Sequence, residues 1–502
     1  MPLPSVDELS DDLLHTPLCD LLGCRYPLIL AGMGGVARAE LVTAVTLAGA
    51  FGFLGMVREP PELIQEEVAK VRQGTSAAFG VNLIPAATEP GLLTRQVELC
   101  IALAVPVVGL FWNVSPSVIG ALRAAGIKVV HQVGSVAEAL QAQEAGAHAL
   151  IVQGTEAGGH VRSRQGLDEL LPKVLAVAGI PVAAAGGIAA GADVARLLTQ
   201  GAQAAVLGTA LLATRESFAH DFHKLRVVQA RATDTILTEA FHVNWPPNAP
   251  VRVLKNSVTS GQRGDPFRSP ATVIGHELER PIYLFSTDSP LRTMTGDYEA
   301  MALYAGCGVE HIREIVPAGQ RVASIVAEAV AARGKARRAA VGVASPVCYA
   351  DETGDDQTTE ALRPQILARL DELLEAERAG ARLTLRTAAE LQDDSLRELV
   401  DLVHHDEVKW CAMLARQIRK LHGTPSTRTG AFYDKAIGIG DLPERLAFLN
   451  RGQGWVVRKL RELMPMVADP EIVHELGEML DAHRTNIDKV NDRLAHGGDG
   501  PS

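Results

Sequence analysis

The chain has 502 residues, which is too long for one ordinary domain, so we expect two or three. Hydrophobic residues make up 47% and charged residues 21% of it, the balance of a globular protein that can bury a large core. The formal net charge of −11 argues against nucleic acid or an anionic membrane surface as the partner.

The sequence also predicts a soluble, cytoplasmic protein with no membrane association. The acidic N-terminus lacks the basic and apolar regions of a signal peptide, and no apolar run is long enough to span a bilayer. The six cysteines are scattered without a Cys-x-x-Cys pair, which is typical of reduced thiols rather than of a disulfide framework or a zinc site.

Short apolar runs alternate with amphipathic segments over the first part of the chain. The eight runs are residues 26–33, 51–57, 79–84, 105–112, 128–133, 148–153, 181–187 and 204–209. Their nearly continuous apolarity is typical of strands buried on both faces, and several intervening segments end in glycine, as helices often do. Eight β-α units predict a (β/α)8 TIM barrel, with a doubly wound open sheet as the alternative.

Two pairs of residues follow the last two predicted strands, Gly186-Gly187 and Gly208-Thr209. Barrels commonly hold a phosphate at these positions, because bare backbone N–H groups meet a helix N-terminus there. The pairs therefore predict a phosphate-bearing ligand. A dinucleotide-binding fold is less favoured, because the glycines of residues 32–35 lack the spacing of its motif and no acidic residue ends the second strand.

The loop after the sixth predicted strand carries a single histidine. It begins at Gln153 and reaches His160 directly after Gly158 and Gly159. Glycine lets a backbone approach a bound ring closely, and a histidine just beyond is placed to exchange a proton with that ligand. We predict that His160 is a catalytic residue; an ordinary turn is the alternative.

Five ordered segments resemble the nitronate monooxygenase family, also called 2-nitropropane dioxygenases: residues 27–33, 80–83, 153–160, 185–188 and 208–216. The resemblance implies an FMN-binding (β/α)8 barrel over residues 14–332. It implies FMN contacts at Ala31, Gly32, Met33, Asn82, Gln132, Gln153, Gly158, Gly159, Gly186, Gly187, Gly208 and Thr209. Gln132 departs from the lysine that is frequent at this position in close relatives, which removes a cation that could stabilise reduced flavin at N1 and leaves the flavin potential and oxygen reactivity open.

The resemblance implies oxidation of alkyl nitronates with O2 to a carbonyl compound and nitrite. His160 would take the α-proton of a neutral nitroalkane or orient a nitronate already formed, while the flavin carries the oxygen chemistry. Two alternatives stay open. NAD(P)H-dependent flavin reductases of enoyl thioesters or quinones share this barrel, and a flavin- or metal-binding sensor without turnover would retain the same pattern.

Two further features follow the eighth predicted strand. The proline-rich residues 241–248, which include Trp245, predict either a wall or lid of the pocket or an ordinary surface turn. Residues 281–285 and 301–306 are expected in a closing helical region, from which Tyr304 could reach the pocket.

The last third changes character. Residues 333–362 show no periodicity and predict a linker. Amphipathic segments at 365–379, 395–421, 443–463 and 470–494 then predict an all-α four-helix bundle over residues 363–496. Its first helix resembles that of ferritin-like proteins, and the bundle is a candidate contact surface for a homo-oligomer.

Carboxylates and histidines gather within these predicted helices. Facing helices of bundles can hold two iron or manganese ions with such side chains, so candidate ligands are Glu377, His404, Glu407, His474 and Glu478. Two departures count against such a di-metal centre. The Glu-x-x-His order is reversed in the second helix, and the third offers Asn450 and Gln453 instead of a glutamate. The pattern favours a metal-free helical module.

Overall fold

The computed structural model describes residues 14–268, 270–342, 356–391, 393–421 and 423–496. The chain divides into two compact units, residues 1–171 with 180–345 and residues 172–179 with 346–502. Within the described ranges, no helix combines the length and apolarity that crossing a membrane requires.

The first unit contains a closed barrel of eight parallel strands, which confirms the predicted fold over the open sheet. The barrel strands are β1 (Leu28–Leu30), β2 (Phe51–Gly55), β3 (Gly80–Leu83), β4 (Val107–Leu110), β5 (Lys128–Val133), β6 (Ala149–Gln153), β8 (Val182–Ala185) and β9 (Ala204–Leu207). A short β7 (Gly159–His160) lies outside the barrel. Pairing of β1 with both β2 and β9 closes the ring.

Helices connect the strands and surround the barrel. They are α1 (Pro17–Leu22), α2 (Ala39–Leu47), α3 (Pro61–Gly74), α4 (Pro90–Ala102), α5 (Pro116–Ala124), α6 (Val136–Ala145), α7 (Leu167–Val177), α8 (Gly191–Gln200), α9 (Thr209–Leu212), α10 (Asp221–Gln229) and α11 (Ala318–Gly342). Helices α6 and α8 end at Gly146 and Gly201, whose φ angles of 99° and 105° favour glycine over residues with a Cβ atom.

Two small antiparallel sheets follow the barrel. Strands β10 (Thr235–Thr238) and β11 (Val251–Leu254) pair with β7, so that His160 lies opposite Val251. Strands β12 (Val273–Glu277), β13 (Arg280–Tyr283) and β14 (Met294–Gly296) form the second sheet. The helical expectation for residues 281–285 and 301–306 is wrong, because 280–283 pairs with β12 in a hairpin and Tyr304 forms a bridge with Val253.

The second unit is all-helical, as predicted. Its helices are α12 (Asp356–Glu390), α13 (Asp394–Lys420), the short α14 (Phe432–Ile437), α15 (Leu442–Leu463) and α16 (Pro470–His496). Asp393 and Asp441 cap α13 and α15, since their carboxylates accept hydrogen bonds from the backbone N–H groups of Leu396 and Glu444. The apolar faces bury residues such as Leu383, Val403, Leu449 and Val490.

Helical structure occupies both ends of the predicted linker. Helix α11 continues to Gly342, and α12 begins at Asp356. Residues 343–355 of the predicted linker lie outside the described residues. The domain limits of 14–332 and 363–496 stay predictions.

Candidate active site

A cavity of about 560 Å³ opens at the carboxyl ends of the barrel strands. Every residue predicted for the flavin site lines it, together with His160: Ala31, Gly32, Met33, Asn82, Gln132, Gln153, Gly158, Gly159, Gly186, Gly187, Gly208 and Thr209. Its volume is within the range of small-molecule and cofactor sites. The structure therefore brings residues from six strand ends into one pocket.

Backbone without large side chains lines the cavity at the carboxyl ends of β8 and β9. Gly187 has a φ of 67°, in the left-handed region, and a Cβ atom added at Gly208 would meet nothing closer than 4.0 Å. The segment around Gly306 and Gly308 approaches the same loops, with the Gly306 N–H donating to the Thr209 hydroxyl at 3.0 Å. Such a cradle of unobstructed amides suits a phosphate group.

The opposite wall is built by Gly32 and Asn82. A Cβ atom at Gly32 would overlap the Asn82 side chain, so only glycine permits this close approach of the loop after β1 to Asn82. The Asn82 side-chain amide donates to the Gly109 carbonyl at 3.3 Å. The backbone of Gly32 and Met33 thus remains open toward the cavity, where a flat ring can lie against it.

Gln153 holds the histidine-bearing strand in place. Its side-chain Nε2 donates to the His160 carbonyl at 2.9 Å, and its Oε1 accepts from the Arg162 N–H at 3.1 Å. The amide is therefore engaged at both ends with the backbone of β7 and the residue beyond it. Its predicted contact with FMN stays a prediction.

The His160 imidazole lies among aromatic rings. Trp245 stacks on it, with ring centroids 3.4 Å apart and planes 15° apart, while Trp112 meets it edge-on and Tyr304 tilts against it. The residue retains partial exposure to the cavity, but its Nε2 atom is buried and lacks a hydrogen-bond partner in the described chain. Burial, and secondarily the charge of Arg58, hold the pKa of His160 well below its ordinary value. The imidazole is therefore neutral at pH 7.

Arg58 is a cation of this pocket that the sequence pattern did not reveal. It lies 5.9 Å from the Trp245 ring centroid and donates to the Asn244 carbonyl and the Thr287 hydroxyl. Both acceptors are neutral, and Arg58 forms no ion pair with any residue that the structure describes. By contrast Arg280, on the same cavity, pairs with carboxylates at 2.8 and 3.0 Å. Arg58 therefore keeps an uncompensated positive charge near His160.

Trp245 and Tyr304 line the cavity, and within residues 241–248 Asn244 and Trp245 form part of the pocket wall. The Tyr304 hydroxyl donates to the Thr287 carbonyl at 2.7 Å, and its backbone carbonyl meets His223 Nε2 at 3.0 Å. Neither residue belongs to a motif with fixed spacing. The sequence signal for Trp245 was its position as an aromatic residue in a proline-rich segment after the barrel.

The predicted metal ligands of the second unit do not all meet. Glu377 and Glu407 come together in the bundle core, where His483 joins them. His404 instead directs Nδ1 to the Ala381 carbonyl at 2.9 Å and to Thr384. His474 and Glu478 pair on the surface, with side chains 76% and 53% exposed. Spacing on one helix face could not show that α16 turns His483 inward, and metal binding by the predicted residues stays a prediction.

Comparisons with known proteins agree with this barrel and its site. The family model described as nitronate monooxygenase matches residues 15–328, and the chain belongs to this family. It is an enzyme, a flavin-dependent oxidoreductase of the nitronate monooxygenase type. A second model, a domain of unknown function called DUF6306, matches residues 364–492.

Three relatives mark the range of activities among similar barrels. A (3aS,4S,5R,7aS)-5-hydroxy-7a-methyl-1-oxo-octahydro-1H-indene-4-carboxyl-CoA dehydrogenase from Mycobacterium tuberculosis is 36% identical over 51% of this chain and 71% of its own. A probable nitronate monooxygenase from Staphylococcus aureus (strain Newman) is 30% identical over 45% and 75%. The structure of a nitroalkane oxidase from Streptomyces ansochromogenes is 30% identical, covers 64% and 100%, and superposes with a TM-score of 0.53.

Proposed function

We propose that the barrel binds FMN and oxidises alkyl nitronates with O2 to a carbonyl compound and nitrite, with neutral nitroalkanes as further substrates. The observation that carries this proposal is the buried, unpartnered Nε2 atom of His160 beside the uncompensated cation Arg58. A neutral base and a fixed positive charge in one pocket suit a weak carbon acid that becomes an anion.

The glycine-lined end of the cavity supports FMN as the cofactor. Gly186, Gly187, Gly208 and Thr209 would hold the phosphate, because their backbone lines the cavity and Gly208 has open space at its Cβ position. Gly32, Met33 and Asn82 would lie along the ring. When bound, FMN supplies the electron acceptor and the reaction with O2.

His160 would handle the substrate proton. With a neutral nitroalkane, Nε2 accepts the α-proton; with a preformed nitronate, the other tautomer of the imidazole donates Nε2–H to a nitronate oxygen. Burial disfavours the imidazolium, but an adjacent nitronate anion would offset that cost. Proton transfer is thereby tied to the presence of substrate.

The walls around His160 match an alkyl substrate. Phe111 and Trp245 present apolar surface to the cavity, and Arg58 attracts the nitro or nitronate oxygens. Because the Trp245 ring stacks directly on His160, it also shields one imidazole face from water.

The test is an assay of the full-length protein. Flavin released by heat and identified by mass establishes the cofactor, and nitrite release with O2 uptake from an alkyl nitronate, without NAD(P)H, establishes the reaction. Protein purified without flavin that does not take up added FMN would overturn the proposal. So would bound FMN without nitronate turnover.

The relative with 36% identity specifically supports a second candidate function. Its printed name is that of a dehydrogenase of a carboxyl-CoA thioester, so the same pocket could serve NAD(P)-linked chemistry on an acyl thioester. Oxidation of NAD(P)H that depends on an enoyl thioester or a quinone, without nitrite release from nitronates, would favour this candidate over nitronate oxidation.

A further inference from the structure

Three ionisable side chains from three different helices meet in the core of the second unit. Glu377 on α12, Glu407 on α13 and His483 on α16 each offer a ligand atom within 4.8 Å of the others. All three are buried: the side chains of Glu377 and His483 are 0% and 1% exposed, and Glu407 is 3% exposed. His483 Nε2 lies 3.3 Å from a Glu377 oxygen.

Most polar atoms of this cluster have no hydrogen-bond partner. Both carboxylate oxygens of Glu377 and both ring nitrogens of His483 are unsatisfied among the residues that the structure describes. Gln453 on α15 donates its Nε2 to Glu407 at 3.2 Å, and its own Oε1 is also unsatisfied. Leaving so many buried polar atoms unpaired is costly, which indicates an occupant that binds oxygen and nitrogen donors.

We propose that Glu377, Glu407 and His483 bind one divalent first-row transition-metal ion, such as Mn²⁺, Fe²⁺ or Zn²⁺. Two carboxylates neutralise the charge of a divalent ion in this apolar core. The imidazole favours a transition metal over Mg²⁺ or Ca²⁺, which prefer oxygen ligands. Gln453 then acts as a positioning residue, since its amide orients the Glu407 carboxylate.

The ligand set supports one ion rather than two. Di-metal centres in helical bundles use carboxylates from all four helices together with two histidines. Here α15 contributes Gln453 and Asn450 at the corresponding depth, and Asn450 donates to the Ile487 carbonyl and Asn491 instead of facing the cluster. The carboxylate count is therefore too low for a second ion.

Because it has no side chain, Gly380 leaves room for the Glu407 carboxylate. It lies inside α12, where glycine is less favourable than alanine. A Cβ atom at this position would overlap both the carboxylate carbon and an oxygen of Glu407. The glycine thus allows Glu407 to reach Glu377 and His483 across the helix interface.

Protons are the competing occupants of the cluster. Burial raises the pKa of Glu377 to about 8 and that of Glu407 well above its ordinary value. Asp406 and Cys411 lie close enough to act electrostatically on these groups. A metal-free cluster would therefore be largely protonated at neutral pH.

The test measures metal stoichiometry in the full-length protein after treatment with a chelator. Mn²⁺, Zn²⁺ and, without oxygen, Fe²⁺ are each offered by equilibrium dialysis, and bound metal is counted by mass spectrometry. We expect about one equivalent of at least one ion per chain. Wild-type protein that binds none of the three at micromolar concentration would overturn the proposal in favour of a protonated cluster.

Variants assign any bound ion to this cluster. Glu407→Gln keeps the side-chain shape and should weaken metal binding about 100-fold. This is the upper end of the loss usual for a perturbed metal site. The control Glu478→Gln alters an exposed carboxylate on the same helix as His483 and should leave binding unchanged. Equal loss in both variants would overturn the assignment.

Gly380→Ala keeps all three ligands, so it tests the site even if Glu407→Gln fails to fold. The added methyl group displaces the Glu407 carboxylate, so affinity should fall about tenfold. Unchanged affinity in Gly380→Ala together with Glu407→Gln would contradict the proposal. Flavin content is a separate readout, so failure of the barrel's proposed function leaves this result intact.

Discussion

The barrel pocket and the bundle cluster each contain a histidine with a buried ring nitrogen that lacks a hydrogen-bond partner among the described residues, but the two sites are built in opposite ways. The cavity beside His160 combines aromatic side chains with backbone that glycines such as Gly187 and Gly208 leave bare. Around His483, side chains from separate helices close the site, and carboxylates supply the charge. An open cavity with bare amides suits a large anionic cofactor, whereas a closed set of charged side chains suits a small cation.

The two sites also differ in the sign of their response to pH. Burial keeps His160 neutral and lowers the pKa of His131 and His223 to about 4, so acid destabilises the barrel unit. In the bundle, Glu377 has a pKa raised to about 8, so alkali removes stability there. The buried histidines thus limit stability at low pH, whereas the buried glutamate limits stability at high pH.

Replacing the barrel histidine should have the largest effect. His160→Asn removes the proton acceptor, so kcat/KM for a neutral nitroalkane should fall about 10²–10⁴-fold. Activity on the preformed nitronate should be largely retained, since no proton is then abstracted. Steady-state nitrite release measures both. The exposed His311→Asn is the control, and equal loss on the two substrates would contradict the role of His160 as a base.

Filling the glycine cradle should weaken flavin binding without changing the fold. Gly208 has a negative φ and open space at its Cβ position, so Gly208→Val avoids backbone strain but places methyl groups where the phosphate is proposed to lie. Fluorescence titration with FMN should show at least about tenfold weaker binding, or about 1.4 kcal/mol. Gly120→Val, on an open face of α5, should bind FMN normally. Normal FMN binding by Gly208→Val would place the phosphate elsewhere.

Removing the uncompensated cation should mainly raise KM. In Arg58→Gln the nitronate loses an attractive charge, so KM should rise roughly fivefold, corresponding to about 1 kcal/mol. Arg280→Gln is the matched control, because the charge of Arg280 is already paired with Glu277 and Asp288. An equal rise in KM in both variants would show that the general field of the pocket, not Arg58, attracts the anion.

The smallest expected effect is the difference between the two units in how stability changes with pH. Glu377 has a raised folded-state pKa, so its stabilisation is complete below pH 4.5 and is lost as pH rises through about 8. The buried barrel histidines have lowered values, so their contribution is present above pH 6.5 and is lost on acidification toward pH 4.

Hydrogen exchange in chelator-treated, full-length protein distinguishes the two units. Protection of α12 and α13 should fall between pH 5 and 8 after correction for the intrinsic exchange rate, and Glu377→Gln should flatten that dependence, because its amide does not titrate. Barrel strands β5 and β6 should instead lose protection below pH 6.5. The same pH profile in both units would contradict the assignment of these buried groups.

The sequence alone determined the barrel and most of its pocket. Eight apolar runs define eight buried parallel strands, and in this fold the residues after each strand must converge at one end. Gly186, Gly208 and His160 could therefore be placed together without coordinates, because topology fixes their neighbourhood. The four amphipathic segments predicted the helical unit for a similar reason, since each apolar face must be buried.

Only the tertiary structure decided which side chains meet where no motif constrains them. Arg58 and Trp245 reach His160 through loop conformations that carry no periodic signal. In the bundle, spacing shows which residues share a helix face but not which face turns inward at a given depth. Helix rotation and register buried His483 beside Glu377 and left His474 exposed. Packing between elements, which is non-local in sequence, sets that choice.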